Sequence, residues 1–433
     1  MHHTRIMDRR AARPLRLLLL LANWTGGGAE RVAVHLMNGL HGAASTGFAA
    51  AGGGALLDVH LGLLHNGFAW RDQLDRARVH VAPDAARFGF DRPNRELFGP
   101  AALATGAIHA PRAVGRIIAE VRPDVVMSFL KGTALLTWLA LARLPRHVPR
   151  PRWIIREGNN ILATVAHESP GALSRAASLA LTARAYRRAD AVLAVAHGMA
   201  ADLPLQLGLD PERVHAINNP VDIEAIARAA RLPAADLPAR PYVLAVGRLQ
   251  PQKGHDLLIT AFARSGCAAT HELVILGEGS CLDALRRLAG ELGVANRVRF
   301  AGFTLNPHAW MAAAELFVLP SRWEGFPNAA AEAMAAGAPL LLTNCKYGAA
   351  DLVADGINGT LVPVDDIEAL AAAMARLLAS PAARARHAAA GRIRARCFAR
   401  DKVLGRYASL VAQVASAPNE LARTALPLRT VPA

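Results

Sequence analysis

Short apolar runs alternate with helical patterns along almost the whole of this 433-residue chain. The run 243–246 is apolar without interruption, as in a strand that a parallel sheet buries on both faces. Between such runs, Val32, Leu36 and Leu40 recur every four residues, as on the buried side of a helix. The alternation predicts an α/β fold with parallel sheets. At roughly 150 residues per domain, the length allows two or three domains.

The predicted strands fall into two groups on either side of a segment rich in proline. In chain order they are 15–22, 56–64, 124–129, 152–156 and 190–195, then 242–246, 272–276, 298–301, 316–319 and 339–343. We therefore expect two Rossmann-like domains facing a cleft, over residues 1–220 and 241–400, with a linker over 221–240 that begins after the turn 218–220. A helix over 401–417 should pack back toward the first domain, and 418–433 should form a loose tail.

The amino-terminal Leu-rich run resembles a short signal peptide, because arginines precede it. Arg16 interrupts the run, which is also too short to span a bilayer and lacks an A-x-A cleavage site. We interpret 15–22 as a buried first strand. No run of 18 apolar residues occurs elsewhere, so we expect no transmembrane helix.

Basic residues outnumber acidic ones by 49 to 34, and residues 1–220 hold 26 of the basic and 16 of the acidic residues. The basic first half indicates an anionic partner, either nucleic acid, a phosphorylated substrate or an acidic membrane. A genome rich in GC, which favours Arg and Ala, would produce the same excess. The four cysteines lie far apart without metal-ligand spacing, which argues against a disulfide framework or a zinc site and fits a reducing cytosol.

The segment 324–332 is the strongest candidate for chemistry. It follows a buried strand, Pro327 suits the first position of a helix, and Gly337 marks that helix's end. Glu324 would lie in the loop, and Glu332 more than a turn inside the helix. The helix start offers free N–H groups for a phosphate, and a carboxylate such as Glu332 can accept two hydroxyl donors, as a ribose offers. Alternatively, Glu324 merely caps the helix and Glu332 is solvated.

A second candidate, the loop 247–254, follows the first strand of the second domain. In doubly wound sheets the ligand crevice lies at the carboxyl ends of the strands. Arg248 and Lys253 share this loop, and two cations reaching one crevice fit a diphosphate. The alternative is a pair of solvated loop cations.

Taken in order, these motifs resemble the retaining family-4 type of GT-B glycosyltransferases, of the subgroup that builds bacterial surface glycans. The resemblance covers nearly the whole second domain and the first glycine-rich loop. Its matched segments are 27–31, 246–248, 253–254, 276–279, 298–302, the Glu324-x7-Glu332 element, 335–339 and 356–363.

The resemblance implies a donor site for a nucleoside-diphosphate sugar. Arg248, Lys253 and Glu324 would be catalytic, the two cations neutralising the leaving diphosphate and Glu324 contacting the sugar. The remaining donor-binding residues would be Gly27, Gly28, Gly247, Gly302, Phe303, Phe326, Pro327, Asn328, Ala329 and Glu332. No D-x-D triplet occurs, which fits transfer without a metal, and no cofactor is expected besides the nucleotide sugar as co-substrate.

The first domain would bind the acceptor. Lys131 follows one predicted strand, Arg156 ends another and Asn159 follows it. The resemblance implies that these three residues contact the acceptor. The clusters Arg143, Arg146, Arg150 and Arg152, and Arg184, Arg187 and Arg188, would attract an anionic leaflet. Nucleic acid is not expected, because basic and aromatic residues are not interleaved.

The sequence thus predicts a cytoplasmic transferase that is peripheral on the inner face of the cell membrane. It would move a hexose or N-acetylhexosamine to a glycan or lipid-linked acceptor in surface polysaccharide biosynthesis. A nucleotide-sugar epimerase of the same fold, or a non-catalytic nucleotide-binding protein, remain the alternatives.

Overall fold

The computed structural model describes residues 13–22, 27–41, 56–64, 73–82, 100–169, 171–234 and 236–417. They form two parallel β-sheets of seven and six strands, which confirms the α/β prediction. The expected tail and Gly26 of the first glycine-rich loop lie outside the described residues.

The first sheet has the strand order β3-β2-β1-β4-β5-β6-β7. Its strands are β1 (Leu15–Leu21), β2 (Leu57–Leu63), β3 (Val79–Val81), β4 (Val125–Phe129), β5 (Arg152–Glu157), β6 (Ala191–Ala194) and β7 (Val214–Ala216). The helices that accompany it are α1 (Gly28–Leu40), α2 (Pro100–Val121), α3 (Leu130–Ala142), α4 (Ile161–Glu168), α5 (Ala172–Tyr186) and α6 (His197–Leu207). The Leu-rich run is a central strand of this sheet, with Leu17 to Leu21 at most 3% exposed.

The second sheet has the order β10-β9-β8-β11-β12-β13. Its strands are β8 (Tyr242–Val246), β9 (Glu272–Leu276), β10 (Val298–Gly302), β11 (Leu316–Leu319), β12 (Leu340–Thr343) and β13 (Thr360–Val362). The helices that follow in chain order are α7 (Ile223–Ala229), α8 (His255–Arg264), α9 (Leu282–Glu291), α10 (Pro307–Ala313), α11 (Asn328–Ala336), α12 (Ala349–Leu352), α13 (Ile367–Leu378), α14 (Pro381–Ala395) and α15 (Arg400–Ser416).

The chain crosses between the two sheets twice, and the crossings lie side by side. Val221 N–H donates to Phe398 (2.8 Å), and Arg400 N–H donates to Val221 (2.9 Å). After the second crossing, α15 packs on the first sheet through six buried residues, Val403, Leu404, Tyr407, Leu410, Val411 and Val414. Burying six such side chains contributes on the order of 10 kcal/mol to holding the carboxyl-terminal helix on the first domain.

Each sheet reverses its strand order next to its first strand, β1 in one and β8 in the other. The reversal places β4 beside β1 and β11 beside β8. The loops that leave neighbouring strands there run to opposite faces, which opens a crevice at the carboxyl edge. Both glycine-rich loops, before α1 and after β8, leave the sheets at these points.

Candidate active site

Lys253 and Glu324 meet at the carboxyl edge of the second sheet. Lys253 lies in the loop after β8 and Glu324 in the loop after β11, and their Nζ and Oε1 atoms are 2.5 Å apart. Ser321 Oγ also donates to the same Glu324 oxygen (2.7 Å). Glu324 is 5% exposed, so its carboxylate is held by an ion pair and a hydrogen bond away from bulk water. Its side chain does not cap α11.

Main-chain bonds tie these two loops together. Arg322 N–H donates to the Gln252 carbonyl (2.8 Å), and Gln252 Nε2 donates to the Trp323 carbonyl (2.9 Å). Arg248 is exposed in the same loop and makes no ion pair with any residue that the structure describes. The loop after β8 therefore holds one paired cation, Lys253, and one unpaired cation, Arg248.

Helix α11 begins beside this pair and points its amino terminus into the crevice. Pro327 precedes the helix instead of occupying its first position, one residue from the prediction. Asn328 N–H donates to Phe326 (2.9 Å) and Ala331 N–H to Pro327 (3.0 Å), so the N–H groups of Ala329 and Ala330 are left without a main-chain partner among the described residues. Free N–H groups at a helix start favour an anion.

Glu332 lies in α11 and forms an ion pair with the other domain. Its Oε1 is 2.5 Å from Arg31 Nη1 of α1, and its Oε2 is 3.3 Å from His308 Nε2 of α10. Burial by itself would raise the pKa of Glu332, but Arg31 and His308 outweigh it and lower the pKa to about 2. Glu332 is 9% exposed and so is not a solvated surface group.

Glycines let the two domains touch on either side of this ion pair. A Cβ on Gly325 would lie 2.0 Å from the Gly158 carbonyl oxygen and 3.0 Å from the Asn159 nitrogen. A Cβ on Gly28 would lie 2.3 Å from Asn328 Nδ2. The backbones at 325 and 158 approach closely, and the Asn328 side chain packs against Gly28, because neither glycine carries a side chain; the cleft is closed at these points.

The predicted acceptor residues occupy three different environments. Asn159 lies in the contact with Gly325. Lys131 is 6% exposed and ion-paired with Glu168. Arg156 is 1% exposed, with Nε donating to Tyr407 Oη (2.9 Å) and Nη2 to Asn219 Oδ1. The Arg156 guanidinium is directed into the protein by β5, and its contact with an acceptor stays a prediction.

Gly247 lies against Lys253, whose stem is 3.5 Å from the position of a Gly247 Cβ. Gly302, at the end of β10, has φ +72° and accepts a hydrogen bond from Gly277 N–H (2.7 Å). Phe303 follows it and is 54% exposed. Among the described residues, no group of three or more His, Cys, Asp and Glu side chains could hold a metal, and all four cysteines are free thiols.

Sequence reasoning missed three residues of this region, Arg31, Asn219 and His308. Arg31 belongs to the matched segment 27–31, so a signal for it was available, although its partner lies 301 positions away. Nothing in the sequence marks His308, near the start of α10, or Asn219, in the turn 218–220, as a residue of this region.

Two parallel α/β domains that close over a crevice define the GT-B class of fold. Two glycosyltransferase family models match the chain and support this fold class. The family model described as Glycosyltransferase Family 4 matches residues 26–225, and that described as Glycosyl transferases group 1 matches residues 235–394. The chain belongs to the family-4 type of glycosyltransferases, as its motifs indicated.

Curated relatives include two bacterial glycosyltransferases. The N-acetylgalactosamine-N,N'-diacetylbacillosaminyl-diphospho-undecaprenol 4-alpha-N-acetylgalactosaminyltransferase of Campylobacter jejuni is 33% identical over 50% of this chain and 59% of its own length. The lipopolysaccharide core biosynthesis glycosyltransferase LpsE of Rhizobium meliloti is 35% identical over 41% of this chain and 52% of its own length. The matched part therefore spans little more than half of each relative.

Solved structures share the fold over nearly the whole chain. HepE of Anabaena, crystallised with UDP and glucose, matches with a TM-score of 0.70 and 20% identity over 92% of this chain and 100% of its own. Sucrose-phosphate synthase of Thermosynechococcus elongatus matches with a TM-score of 0.71 and 20% identity over 92% and 99%. At this identity the match establishes the GT-B fold.

Proposed function

We propose that this chain transfers a hexose or N-acetylhexosamine from a nucleoside-diphosphate sugar to a hydroxyl of a lipid-linked or oligosaccharide acceptor in surface polysaccharide biosynthesis. The observation that carries the proposal is the junction of Lys253, Glu324 and the start of α11 at one sheet edge. Two relatives have names that support the pathway, one acting on a diphospho-undecaprenol acceptor and one in lipopolysaccharide core synthesis.

Each group in the crevice has a role in such a reaction. When the bond from sugar to diphosphate breaks, negative charge grows on the leaving oxygen, and Arg248 and Lys253 would stabilise it. The N–H groups of Ala329 and Ala330 would hold phosphate oxygens. Glu332, ionised because its pKa is about 2, would accept hydrogen bonds from the ribose hydroxyls.

Glu324 would contact the donor sugar, positioned by Lys253 and Ser321. Retention of anomeric configuration, and transfer without a metal, are part of the proposal through the family resemblance. The contacts at Gly28 and Gly325 would close the cleft and exclude water during transfer.

The first experiment is a thermal-shift screen with UDP, GDP and ADP, followed by turnover with sugars of the nucleotide that binds. Lys253→Ala and Glu332→Ala should each lower turnover by at least tenfold. Lys402→Ala, at an exposed residue of α15, is the matched control and should leave turnover unchanged. Undiminished turnover in both site variants would refute the site assignment.

The same assay distinguishes the alternatives. An epimerised nucleotide sugar formed without acceptor would identify an epimerase. Tight nucleotide binding with neither transfer nor donor hydrolysis would identify a non-catalytic binding protein.

We further propose that the protein binds an anionic membrane through α5. This helix exposes one face on which Leu173, Ala177 and Leu181 precede Arg184, and Leu173 is 85% exposed; the exposed Arg188 follows just beyond the end of the helix. No acidic residue occurs between 169 and 189. An apolar face with basic residues at its carboxyl end fits the headgroup region of an anionic bilayer, at about 1 kcal/mol per basic residue.

The position of α5 suits a lipid-linked acceptor. Because α5 follows β5 and α4, its first turns lie at the carboxyl edge of the first sheet, the edge that faces the cleft. Arg143, Arg146 and Arg150 precede β5 and lie toward the opposite edge, and Arg188, which precedes β6, lies there too, beside Arg150. Among the described residues, none of the helices combines the length and the apolar character needed to cross a bilayer.

Flotation with vesicles of phosphatidylglycerol, at low and high salt, tests the membrane proposal. The protein should float with these vesicles and not with pure phosphatidylcholine, and Leu173→Asp with Leu181→Asp should abolish flotation. Ile393→Asp, at a 68% exposed position of α14, is the control and should float normally. No flotation of the unmodified protein would contradict the proposal.

A further inference from the structure

A chain of hydrogen bonds runs from the first sheet to the start of α11. Arg156 Nη2 on β5 donates to Asn219 Oδ1, and Asn219 Nδ2 is 2.8 Å from Asn328 Oδ1. Asn219 is 5% exposed and lies just before the first crossing between the domains. Three elements distant in sequence are thus joined by side chains alone.

The direction of this chain of bonds is determined at its arginine end. A guanidinium has donors and no acceptor, so Asn219 must present its oxygen to Arg156. The Asn219 amide nitrogen is then the only group it can offer to Asn328, and Asn328 must present its own oxygen in return. The remaining group of Asn328, its Nδ2, can therefore only donate, and the usual ambiguity of amide orientation is removed.

That remaining donor lies where the two domains meet, against Gly28. Asn328 is half-buried at the start of α11, and its Nδ2 lies 2.3 Å from the position that a Cβ on Gly28 would take. It is next to the free N–H groups of Ala329 and Ala330. All the groups here are donors, which is the arrangement an anionic oxygen requires.

Burying the Arg156 guanidinium lowers the stability of the fold. The guanidinium is surrounded by neutral partners, with Tyr407 and Asn219 as acceptors and the Phe129 ring 4.8 Å from its centre. No carboxylate lies within ion-pair distance among the described residues. A buried charge without a counter-charge is unfavourable for stability, so a function beyond stability is a reason for its presence.

We propose that Arg156 is a positioning residue that acts through Asn219 to hold Asn328 as a hydrogen-bond donor to a phosphate oxygen of the nucleotide. The inference rests on the proposed function only in placing the diphosphate at the start of α11. It adds Arg156 as the residue that determines which atoms of Asn219 and Asn328 donate and which accept.

Two substitutions of Asn219 separate this role from stability and from charge. Asn219→Asp still accepts from Arg156 and supplies the missing counter-charge, so thermal stability should be kept or raised, but it cannot donate to Asn328. Asn219→Leu is neutral and removes both bonds, so stability should fall. Both should weaken nucleoside-diphosphate binding about tenfold, the effect of losing one well-placed hydrogen bond.

The measurement is calorimetric titration with whichever of UDP, GDP and ADP binds the unmodified protein, and with its nucleoside, whose affinity should not change. Asn328→Ala should lose the same affinity, and Asn219→Leu with Asn328→Ala should lose no more. Asn296→Asp, on the exposed turn before β10, adds a negative charge away from this site and should bind normally.

If only Asn219→Asp weakens nucleotide binding, its added negative charge explains the loss. If only Asn219→Leu weakens binding, its loss of stability explains it. Either result overturns the proposal. Unchanged binding in both also overturns it. If the unmodified protein binds none of the three nucleotides, the proposed function itself fails, which is a separate result.

Discussion

The ion pair between Arg31 and Glu332 joins the two domains, and its strength can be worked out from the structure. Each pKa unit corresponds to about 1.4 kcal/mol, so lowering the Glu332 pKa from 4.5 to about 2 represents about 3 kcal/mol in favour of the ionised form. His308 supplies part of this, and Arg31 is 32% exposed in its side chain. We therefore expect a coupling of about 2 kcal/mol between Arg31 and Glu332.

The assay is a double-mutant cycle with Arg31→Met, Glu332→Gln and the double variant, followed by urea unfolding at pH 7. Both substitutions keep the approximate shape of the side chain and remove its charge. Arg31→Met should be the more damaging single change, because it leaves a buried carboxylate without its counter-charge.

The control is the pair Arg264 and Glu368 in the second domain, whose side chains are 53% and 74% exposed. An exposed pair of this kind is expected to couple by less than about 0.5 kcal/mol. A coupling between Arg31 and Glu332 no larger than in this control would refute the reasoning.

The dependence on pH gives a second check. The pKa of Glu332 is lower in the folded protein than in the unfolded chain, so its stabilisation is complete above pH 4.5 and is lost as pH falls toward 2. The coupling should therefore be smaller at pH 4 than at pH 7. A coupling that grows as the pH falls would mean that Glu332 is not the ionised partner.

Three further results are expected. Gly325→Ala should force the domains apart at Gly158, raise the radius of gyration in solution scattering and lower turnover at least tenfold. The control Gly290→Ala, with open space around it, should change neither quantity. An active, compact Gly325→Ala protein would contradict the closed contact. Glu324→Gln removes the counter-charge of Lys253 and should lower kcat by about a hundredfold in a steady-state assay, and an unchanged kcat would exclude Glu324 from the reaction. A bound nucleoside diphosphate at about 100 times its Kd should add about 2.7 kcal/mol to the free energy of unfolding, and no stabilisation by UDP, GDP or ADP would argue against the donor site.

Local patterns predicted the elements of the fold well. All ten predicted strands are present, because a strand buried on both faces must be a continuous apolar run. The three strands that were not predicted, β3, β7 and β13, have only three residues each, too few for a period to be recognised.

The sequence also indicated candidate residues for the crevice of the second domain. Arg248, Lys253 and Glu324 lie in loops that follow buried strands, and Glu332 lies inside the helix that follows one of them. This local order can be read directly from the chain. Lys253 and Glu324 are 71 residues apart in the chain, and the sequence did not show that their side chains touch.

That contact was decided by the tertiary structure, because β8 and β11 are neighbours only once the sheet has assembled. The environment of Arg156 was also decided by the tertiary structure. From the sequence, Arg156 was expected to be an accessible cation. The alternation of side chains along β5 directs it into the interior, against Tyr407 of α15, 251 residues away. The sequence by itself determined the strands, the helices and the chemical types at their ends. Pairing across strands and domains determined which charges meet, since a charge acts on whatever lies near it in space, whatever its distance along the chain.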